Sequence, residues 1–215
     1  MNRSQTLDKI LDCGVMAIIR MQHSAKVKWI AGAIAEGGIT AIEVTMSTPD
    51  ALSAVQAIAQ TAGDSIQIGV GSVMNKATVF WAYRAGAQFI VSPVFKSDII
   101  QTAHELDMVC IPGCYSPTEI WTAYEAGADL IKVFPADVLG MDFIRAIKAP
   151  MPDLSLMPTG GVTSDNAEAW MKTGASCVGV GAALLDKKAI DEENYALLTE
   201  NARQMKAAVD RGREK

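Results

Sequence analysis

Positive charge, cysteine, histidine and long apolar runs are all scarce in this sequence, and each shortage closes off a class of function. The 19 Lys and Arg are outnumbered by 24 Asp and Glu, for a net charge of −5. Nucleic-acid binders usually present a basic face, so that class is not expected. A locally positive pocket for an anionic ligand is still open. Four cysteines (Cys13, Cys110, Cys114, Cys177) are too few for a disulfide scaffold in 215 residues and read as buried thiols. The two histidines, His23 and His104, have no ligand neighbours in the sequence. A metal site or a histidine-centred triad is therefore not expected. The least polar stretch, 175–185, is 11 residues long, against about 20 for a membrane span. Residues 1–8 lack the apolar core of a signal peptide. No membrane association is expected, and the cytoplasm is the expected compartment.

What remains is an ordinary globular composition, 50% hydrophobic and 20% charged. Disorder would need low hydrophobicity and high net charge. The length suits one domain over 1–215. Only the tail, 210–215, is expected to fray.

One short pattern recurs through the chain. Glu36-Gly37-Gly38-Ile39, Arg84-Ala85-Gly86-Ala87, Glu125-Ala126-Gly127-Ala128 and Lys172-Thr173-Gly174-Ala175 each join a helical stretch to a short apolar run. A glycine there supplies the left-handed cap that stops a helix. The apolar run is too short for a helix and suits a buried parallel strand. Gly38, Gly86, Gly127 and Gly174 are separated by 48, 41 and 47 residues. Each interval has room for two strand–helix units.

Eight strands follow, near 15–20, 39–45, 66–71, 87–92, 108–112, 129–134, 154–159 and 175–181. Helices are expected over 24–36 and over 49–62, the latter with Pro49 at its first position. Asn75, Ser116 and Thr163 read as starts of later helices. An extra helix at about 4–13 precedes strand one. Eight such units make an α/β fold of the (β/α)8 TIM-barrel type, compact beside the usual length of about 250 residues. An open doubly wound sheet would want a glycine-rich loop after strand one, and Ala17-Ile18-Ile19-Arg20-Met21 has none.

Barrel active sites sit at the C-terminal ends of the strands. Lys132 lies mid-strand in Asp129-Leu130-Ile131-Lys132-Val133-Phe134-Pro135. Burial pushes an amine toward its neutral form, the nucleophile that makes a Schiff base with a ketone. The same position also fits a lysine ion-paired to a buried carboxylate. Strand alternation points Ala41, Glu43 and Thr45 to the interior and Ile42 and Val44 to the helices. An interior glutamate either serves as acid and base or forms a salt bridge with Lys132 or Arg20. Arg20, at the end of strand one, is a candidate bidentate partner for a carboxylate. Ser72 follows strand three. The turns Thr159-Gly160-Gly161 and Gly179-Val180-Gly181-Ala182 close strands seven and eight. Barrels often bind phosphate there through backbone amides. Amine, carboxylate, arginine and phosphate nest together fit carbon–carbon chemistry on a phosphorylated keto acid. An iminium can serve as the electron sink, so no metal or cofactor is expected. A sugar-phosphate epimerase or isomerase would not need Lys132. A non-catalytic sugar-acid-binding barrel would have lost Lys132 or Glu43.

These residues resemble the 2-keto-3-deoxy-6-phosphogluconate (KDPG) and 4-hydroxy-2-oxoglutarate (KHG) aldolase family over about residues 7–185. The landmarks are Ala17-Ile18-Ile19-Arg20, Ile42-Glu43-Val44-Thr45, Gly69-Val70-Gly71-Ser72-Val73, Ile90-Val91-Ser92-Pro93, Ile111-Pro112-Gly113-Cys114, Ile131-Lys132-Val133-Phe134-Pro135 and Pro158-Thr159-Gly160-Gly161-Val162. The resemblance implies Lys132 as the Schiff-base lysine, Glu43 as the acid–base and Ser72 near the pyruvyl group. It implies phosphate loops at Gly160, Gly161, Gly181 and Ala182, and a homotrimer of barrels. It implies cleavage of KDPG to pyruvate and glyceraldehyde 3-phosphate, with 4-hydroxy-2-oxoglutarate as a further substrate. Two positions depart from it. Ser47 stands where many members carry a carboxylate-binding arginine, and Ala182 where a phosphate-loop serine is common. Arg20 matches an arginine of the related phosphogalactonate branch, which makes 2-dehydro-3-deoxy-6-phosphogalactonate the alternative substrate.

Overall fold

A computed structural model describes residues 1–214. The fold is α/β, with a parallel, curled sheet. The strands are β1 (Val15–Ile19), β2 (Ala41–Thr45), β3 (Gln67–Gly71), β4 (Phe89–Val91), β5 (Val109–Ile111), β6 (Gly113–Cys114), β7 (Ile131–Val133), β8 (Leu156–Pro158) and β9 (Val178–Val180). Helix α1 (Arg3–Cys13) precedes β1. Helices α2 (Val27–Glu36), α3 (Ala51–Ala62), α4 (Lys76–Arg84), α5 (Ser97–Glu105) and α6 (Pro117–Glu125) lie between β1 and β7. Two helices, α7 (Ala136–Leu139) and α8 (Met141–Lys148), join β7 to β8, and α9 (Ala167–Met171) joins β8 to β9. The chain ends in α10 (Lys187–Asp191) and α11 (Tyr195–Arg213).

Six strands form one sheet in the order β5-β4-β3-β2-β1-β9, and three form another, β6-β7-β8. Chain continuity through Pro112 links them on one side. Proline has no N–H to give the ladder, but its carbonyl still accepts from Lys132 N–H at 2.9 Å. On the other side a bridge pairs Thr159 with Gly179. All named strand pairs are parallel, and all nine strands are buried. That is the environment in which strands read as unbroken apolar runs.

The recurring glycines act as the pattern predicts. Gly38, Gly86, Gly127 and Gly174 all have φ between 89° and 94°. In the first three repeats the next residue donates back into the helix, Ile39 to Ile34, Ala87 to Ala82 and Ala128 to Ala123, the reversal that satisfies a helix's last carbonyls. Ser116 and Glu119 form a capping box at α6, and Asn75 caps α4 by accepting from Thr78 N–H at 2.9 Å.

Several boundaries differ from expectation. Helix α3 begins at Ala51, because Thr48 is used elsewhere: its hydroxyl accepts from Met21 N–H at 3.1 Å and ties the end of β1 to the end of β2. Ser24–Lys26 form a turn ahead of α2. Thr163 does not start a helix. Its N–H donates to Asn166 Oδ1 at 2.9 Å within a turn, and α9 starts at Ala167. The tail does not fray through Arg213, whose guanidinium donates to the carbonyls of Leu11, Asp12 and Ser176. Lys215, part of the tail expected to fray, lies outside the described residues. Helix α11 packs a face of Leu198, Ala202, Met205 and Val209 inward. Its backbone comes so near α2 that a Cβ on Gly37 would overlap Thr199 O.

All four cysteines are free and buried. Burial pushes the Cys110 and Cys114 thiols up to about 12. His104 has a ligand-type neighbour after all: Asp129, 25 residues on, lies 3.0 Å from its Nε2. Among the described residues, no helix is long and apolar enough to cross a membrane.

Candidate active site

Glu43 sits at the centre of β2, in register with Ile18 on β1 and Gly69 on β3. Only 1% of it is exposed. The room for its carboxylate comes from β3: a Cβ on Gly71 would overlap Glu43 Oε1. Glycine at 71 is therefore a space-making residue, chosen for what it lacks. Burial pushes the Glu43 carboxyl above its ordinary value, and the charges of Lys132 and Arg20 pull it part of the way back. Glu43 Oε2 is buried without a hydrogen-bond partner among the described residues. Gln67 Oε1 and Trp170 Nε1 are buried without a partner as well, and Glu43 differs from them in carrying a titratable carboxyl in the field of Lys132 and Arg20.

Lys132 lies at the centre of β7, in register with Gly113 on β6 and Met157 on β8. It is 7% exposed. Its Nζ stands 4.9 Å from the centroid of the Phe134 ring, two residues on along the same strand direction. Among the described residues it forms no ion pair within 4.0 Å, so the tight salt bridge to Glu43 that the sequence allows is not made. Lysine and glutamate feel each other's field without direct contact. The aromatic face offers the ammonium only weak compensation for lost water.

The remaining residues lie just past the strand ends. Arg20 is the first residue after β1 and is exposed, with its charge felt at Glu43. Ser47, where an arginine was missing, is exposed and shares a hydrogen bond with buried Thr45, Oγ to Oγ1 at 2.9 Å. Ser72 has φ 59°, a left-handed backbone for a residue with a side chain. Buried Ser92 accepts from Val94 N–H at 3.3 Å.

The two glycine-rich turns are neighbours, because Thr159 pairs with Gly179. A Cβ on Gly179 would overlap the Thr159 hydroxyl, so the threonine fills the space the glycine leaves. Gly160 and Gly161 take φ 111° and 70°. Asn166 Nδ2 donates to Gly161 O at 2.9 Å and holds the turn. Gly181 and Ala182 accept from Leu184 and Leu185 in one tight turn, with Ala182 exposed.

Three features of this region escaped the sequence reading. These are the Phe134 ring beside Lys132, the space under Glu43 made by Gly71, and Asp137. The Asp137 carboxylate lies 2.9 Å from where a Cβ on Gly160 would be. The motif Ile131-Lys132-Val133-Phe134 held a signal for the first, since alternation puts residues 132 and 134 on one face. Among the described residues, no three His, Cys, Asp or Glu side chains are grouped so as to hold a metal ion.

Comparison with known proteins adds an independent line. A family model described as KDPG and KHG aldolase matches residues 7–201. The chain is 36% identical over 154 residues to the 2-dehydro-3-deoxy-6-phosphogalactonate aldolase of Escherichia coli (strain K12), covering 71% of this chain and 75% of that one. It is 32% identical over 184 residues to the 2-dehydro-3-deoxy-phosphogluconate aldolase of Pseudomonas aeruginosa, covering 85% and 83%. Its fold superposes with a TM-score of 0.86 on the crystal structure of KDPG aldolase from Legionella pneumophila, in which pyruvate is captured as a covalent carbinolamine. The two are 28% identical, with 94% of this chain and 98% of that one covered.

Proposed function

The chain belongs to the KDPG and KHG aldolase family, and from that premise we propose that it is a class I, Schiff-base aldolase with Lys132 as nucleophile and Glu43 as acid and base. The observation that carries this reading is the pair itself. Among the described residues, a nearly buried lysine stands without an ion pair, in the field of a buried glutamate that has an unpartnered oxygen. We read the two sheets, joined through Pro112 and through Thr159–Gly179, as one eight-position (β/α)8 barrel with α1 as an added N-terminal helix. On that reading residues 1–215 form one domain.

The chemistry needs a neutral amine and a movable proton. Lys132 adds to the C2 ketone of the keto acid to give a carbinolamine. Glu43 delivers the proton that lets the C2 hydroxyl leave as water, forming the iminium. Glu43, now ionised, takes the proton from the C4 hydroxyl. The C3–C4 bond breaks, the aldehyde leaves, and the bonding pair is held as an enamine. Glu43 returns a proton to C3, and water hydrolyses the iminium to pyruvate and free lysine. A carboxyl raised above its ordinary value by burial holds a proton more readily than a free one, which suits it to give as well as take one. The iminium is the electron sink, so this chemistry asks for no metal.

We assign the substrate carboxylate to Arg20 and Ser72, and the distal end of the substrate to Thr159, Gly160, Gly161, Gly181 and Ala182. The preferred substrate on this reading is KDPG, yielding pyruvate and glyceraldehyde 3-phosphate, with 4-hydroxy-2-oxoglutarate as a smaller alternative. The 36% identity to a phosphogalactonate aldolase favours 2-dehydro-3-deoxy-6-phosphogalactonate as the second reading. An enzyme of sugar-acid breakdown would work in the cytoplasm, where such acids are phosphorylated. The homotrimer is supported by exposed aromatics, Phe80 and Trp81 on α4 and Trp121 and Tyr124 on α6, which in a lone protomer would face water. The test of the function is cleavage: pyruvate release from each of the three substrates, followed by a coupled assay. No cleavage of any would reject the aldolase assignment.

A further inference from the structure

Arg20 and Ser72, assigned above to the substrate carboxylate, follow β1 and β3, with β2 and Glu43 between them. Among the described residues the Arg20 guanidinium makes no ion pair within 4.0 Å. Its place is therefore set by the backbone on either side of it. Before it, Ile19 is in register with Val44 at the last rung of the β1–β2 ladder. After it comes Met21. Gln67 N–H donates to Thr40 O and Met46 N–H to Gly71 O, both at 2.9 Å, so the even-numbered residues of β2 turn their backbone groups toward β3. The odd-numbered ones turn theirs toward β1. One more rung would join Met21 N–H to Thr45 O. That carbonyl instead accepts from Thr48 N–H at 2.9 Å, where the chain turns out of β2. The Thr48 hydroxyl stands in for it and accepts from Met21 N–H at 3.1 Å. Thr48 is 2% exposed. A threonine ahead of a helix ordinarily caps it, yet α3 starts without a side-chain cap, and Asp50 at its N-cap has φ 53°. The hydroxyl serves β1 and leaves the helix uncapped.

We propose that Thr48 is a positioning residue. Its hydroxyl extends the β1–β2 ladder by one rung and holds Arg20 where the guanidinium meets the substrate carboxylate. The proposal rests on the aldolase reading above and on Arg20 as the partner of that carboxylate. An arginine fork binds a carboxylate through two parallel hydrogen bonds, so its contact depends on angle as well as distance. A group that pins the backbone beside Arg20 thereby sets the affinity for any 2-keto acid, pyruvate included. Without the hydroxyl, Met21 N–H loses its acceptor, the ladder ends at Ile19, and Arg20 is released with the loop that follows it.

The test reads the pyruvate concentration that gives half-maximal borohydride labelling. It is measured for the native full chain, Thr48→Val, Thr48→Ser, Arg20→Ala, and Thr48→Val combined with Arg20→Ala. Valine keeps the shape and removes the acceptor, so Thr48→Val is expected to raise that concentration roughly 3- to 10-fold, the loss of one partly buried hydrogen bond. Thr48→Ser keeps the hydroxyl and should stay within about twofold of native. In the Arg20→Ala background, Thr48→Val should add less than about twofold, because the residue it acts through is gone. Three results overturn the proposal: a Thr48→Val value within about twofold of native, a serine variant as weak as the valine one, or the same loss from Thr48→Val with and without Arg20. Thr48→Ala, read the same way, replaces the valine variant if that one melts early. Absence of labelling in the native chain rejects the aldolase reading and with it this inference. Labelling that Arg20→Ala leaves unmoved rejects Arg20 as the partner, and Thr48 with it. Labelling weakened by Arg20→Ala and unmoved by Thr48→Val rejects Thr48 alone.

Discussion

Asp129 and Glu43 are both carboxylates held inside the strand framework, yet their surroundings are opposite. Asp129 stands just before β7, at the N-terminal end of the sheet. Its Oδ2 accepts from Cys110 N–H at 2.8 Å and lies 3.0 Å from His104 Nε2, while Arg3 approaches Oδ1 at 3.6 Å. Ahead of β1 and β9, the Arg213 guanidinium is taken up by the carbonyls of Leu11, Asp12 and Ser176. Among the described residues Glu43 has an oxygen with no partner, and Lys132 has the face of the Phe134 ring and the glutamate's field but no ion pair. The carboxylate at the N-terminal end is fully paired, although Gln67 Oε1 at the start of β3 has no partner among the described residues, and the carboxylate of Glu43 is left open. A satisfied buried carboxylate holds strands and helices together. An unsatisfied one is ready to give and take a proton.

The sharpest way to break this contrast is to remove the amine. Lys132→Ala is expected to abolish cleavage while leaving the fold intact. Lys132→Arg is equally inactive, because a guanidinium stays protonated and is no nucleophile. A coupled assay for pyruvate checks both, with circular dichroism to confirm folding. Residual cleavage near the native rate would move the nucleophile elsewhere.

Next in size is Glu43→Gln, expected to slow turnover by about 10² to 10⁴, the usual worth of acid–base help. The amide is nearly the same shape, so packing is preserved. The acid limb of kcat/KM in the native enzyme should lie above the ordinary glutamate value of 4.5, because burial raises this carboxyl. Stability carries the same sign. A carboxyl raised on folding stabilises the native state below its unfolded pKa, and that contribution is lost as pH rises through the folded value. Glu43→Gln removes the loss, so its melting temperature should gain on the native protein as pH increases. A difference independent of pH would contradict the buried, desolvated glutamate.

Arg20→Ala comes third. A charge-assisted contact to the substrate carboxylate is worth about 1.5–3 kcal/mol, or roughly 10- to 150-fold in affinity. Pyruvate labelling at low pyruvate should weaken by that factor. No change would leave the carboxylate to Ser72 and backbone amides.

The smallest effect on catalysis, and the largest on folding, belongs to Asp129→Asn. The amide keeps one acceptor but weakens the bonds to His104, Arg3 and Cys110 N–H. A loss of about 1 to 3 kcal/mol in denaturant stability is expected, with kcat little changed. Equal damage to kcat would mean that the two ends of the strands are not separable.

The repeat of glycines revealed the spacing of the strands because helix reversal has a local backbone requirement, met at Gly38, Gly86, Gly127 and Gly174. Lys132 and Glu43 stood out for a similar reason: a charge inside an apolar strand breaks a local rule. What stayed hidden depends on proximity across the fold. Thr48 was free to cap α3 until Met21 claimed its hydroxyl. His104 looked isolated until the sheet brought Asp129 to it. Gly71 shows its purpose only when the neighbouring strand places Glu43 beside it, and Asp137 only when α7 lies against the Gly160 turn. The break at Pro112 was visible as a proline, but the pairing of Gly113 and Cys114 with β7 beyond it was not.

Borohydride reduction of the native protein in the presence of pyruvate, followed by peptide mapping of the labelled residue, tests the role of Lys132 most directly. Covalent label on Lys132 alone is the predicted result. Label on another lysine, or no label while cleavage proceeds, would contradict the assignment of β7's buried amine as the nucleophile.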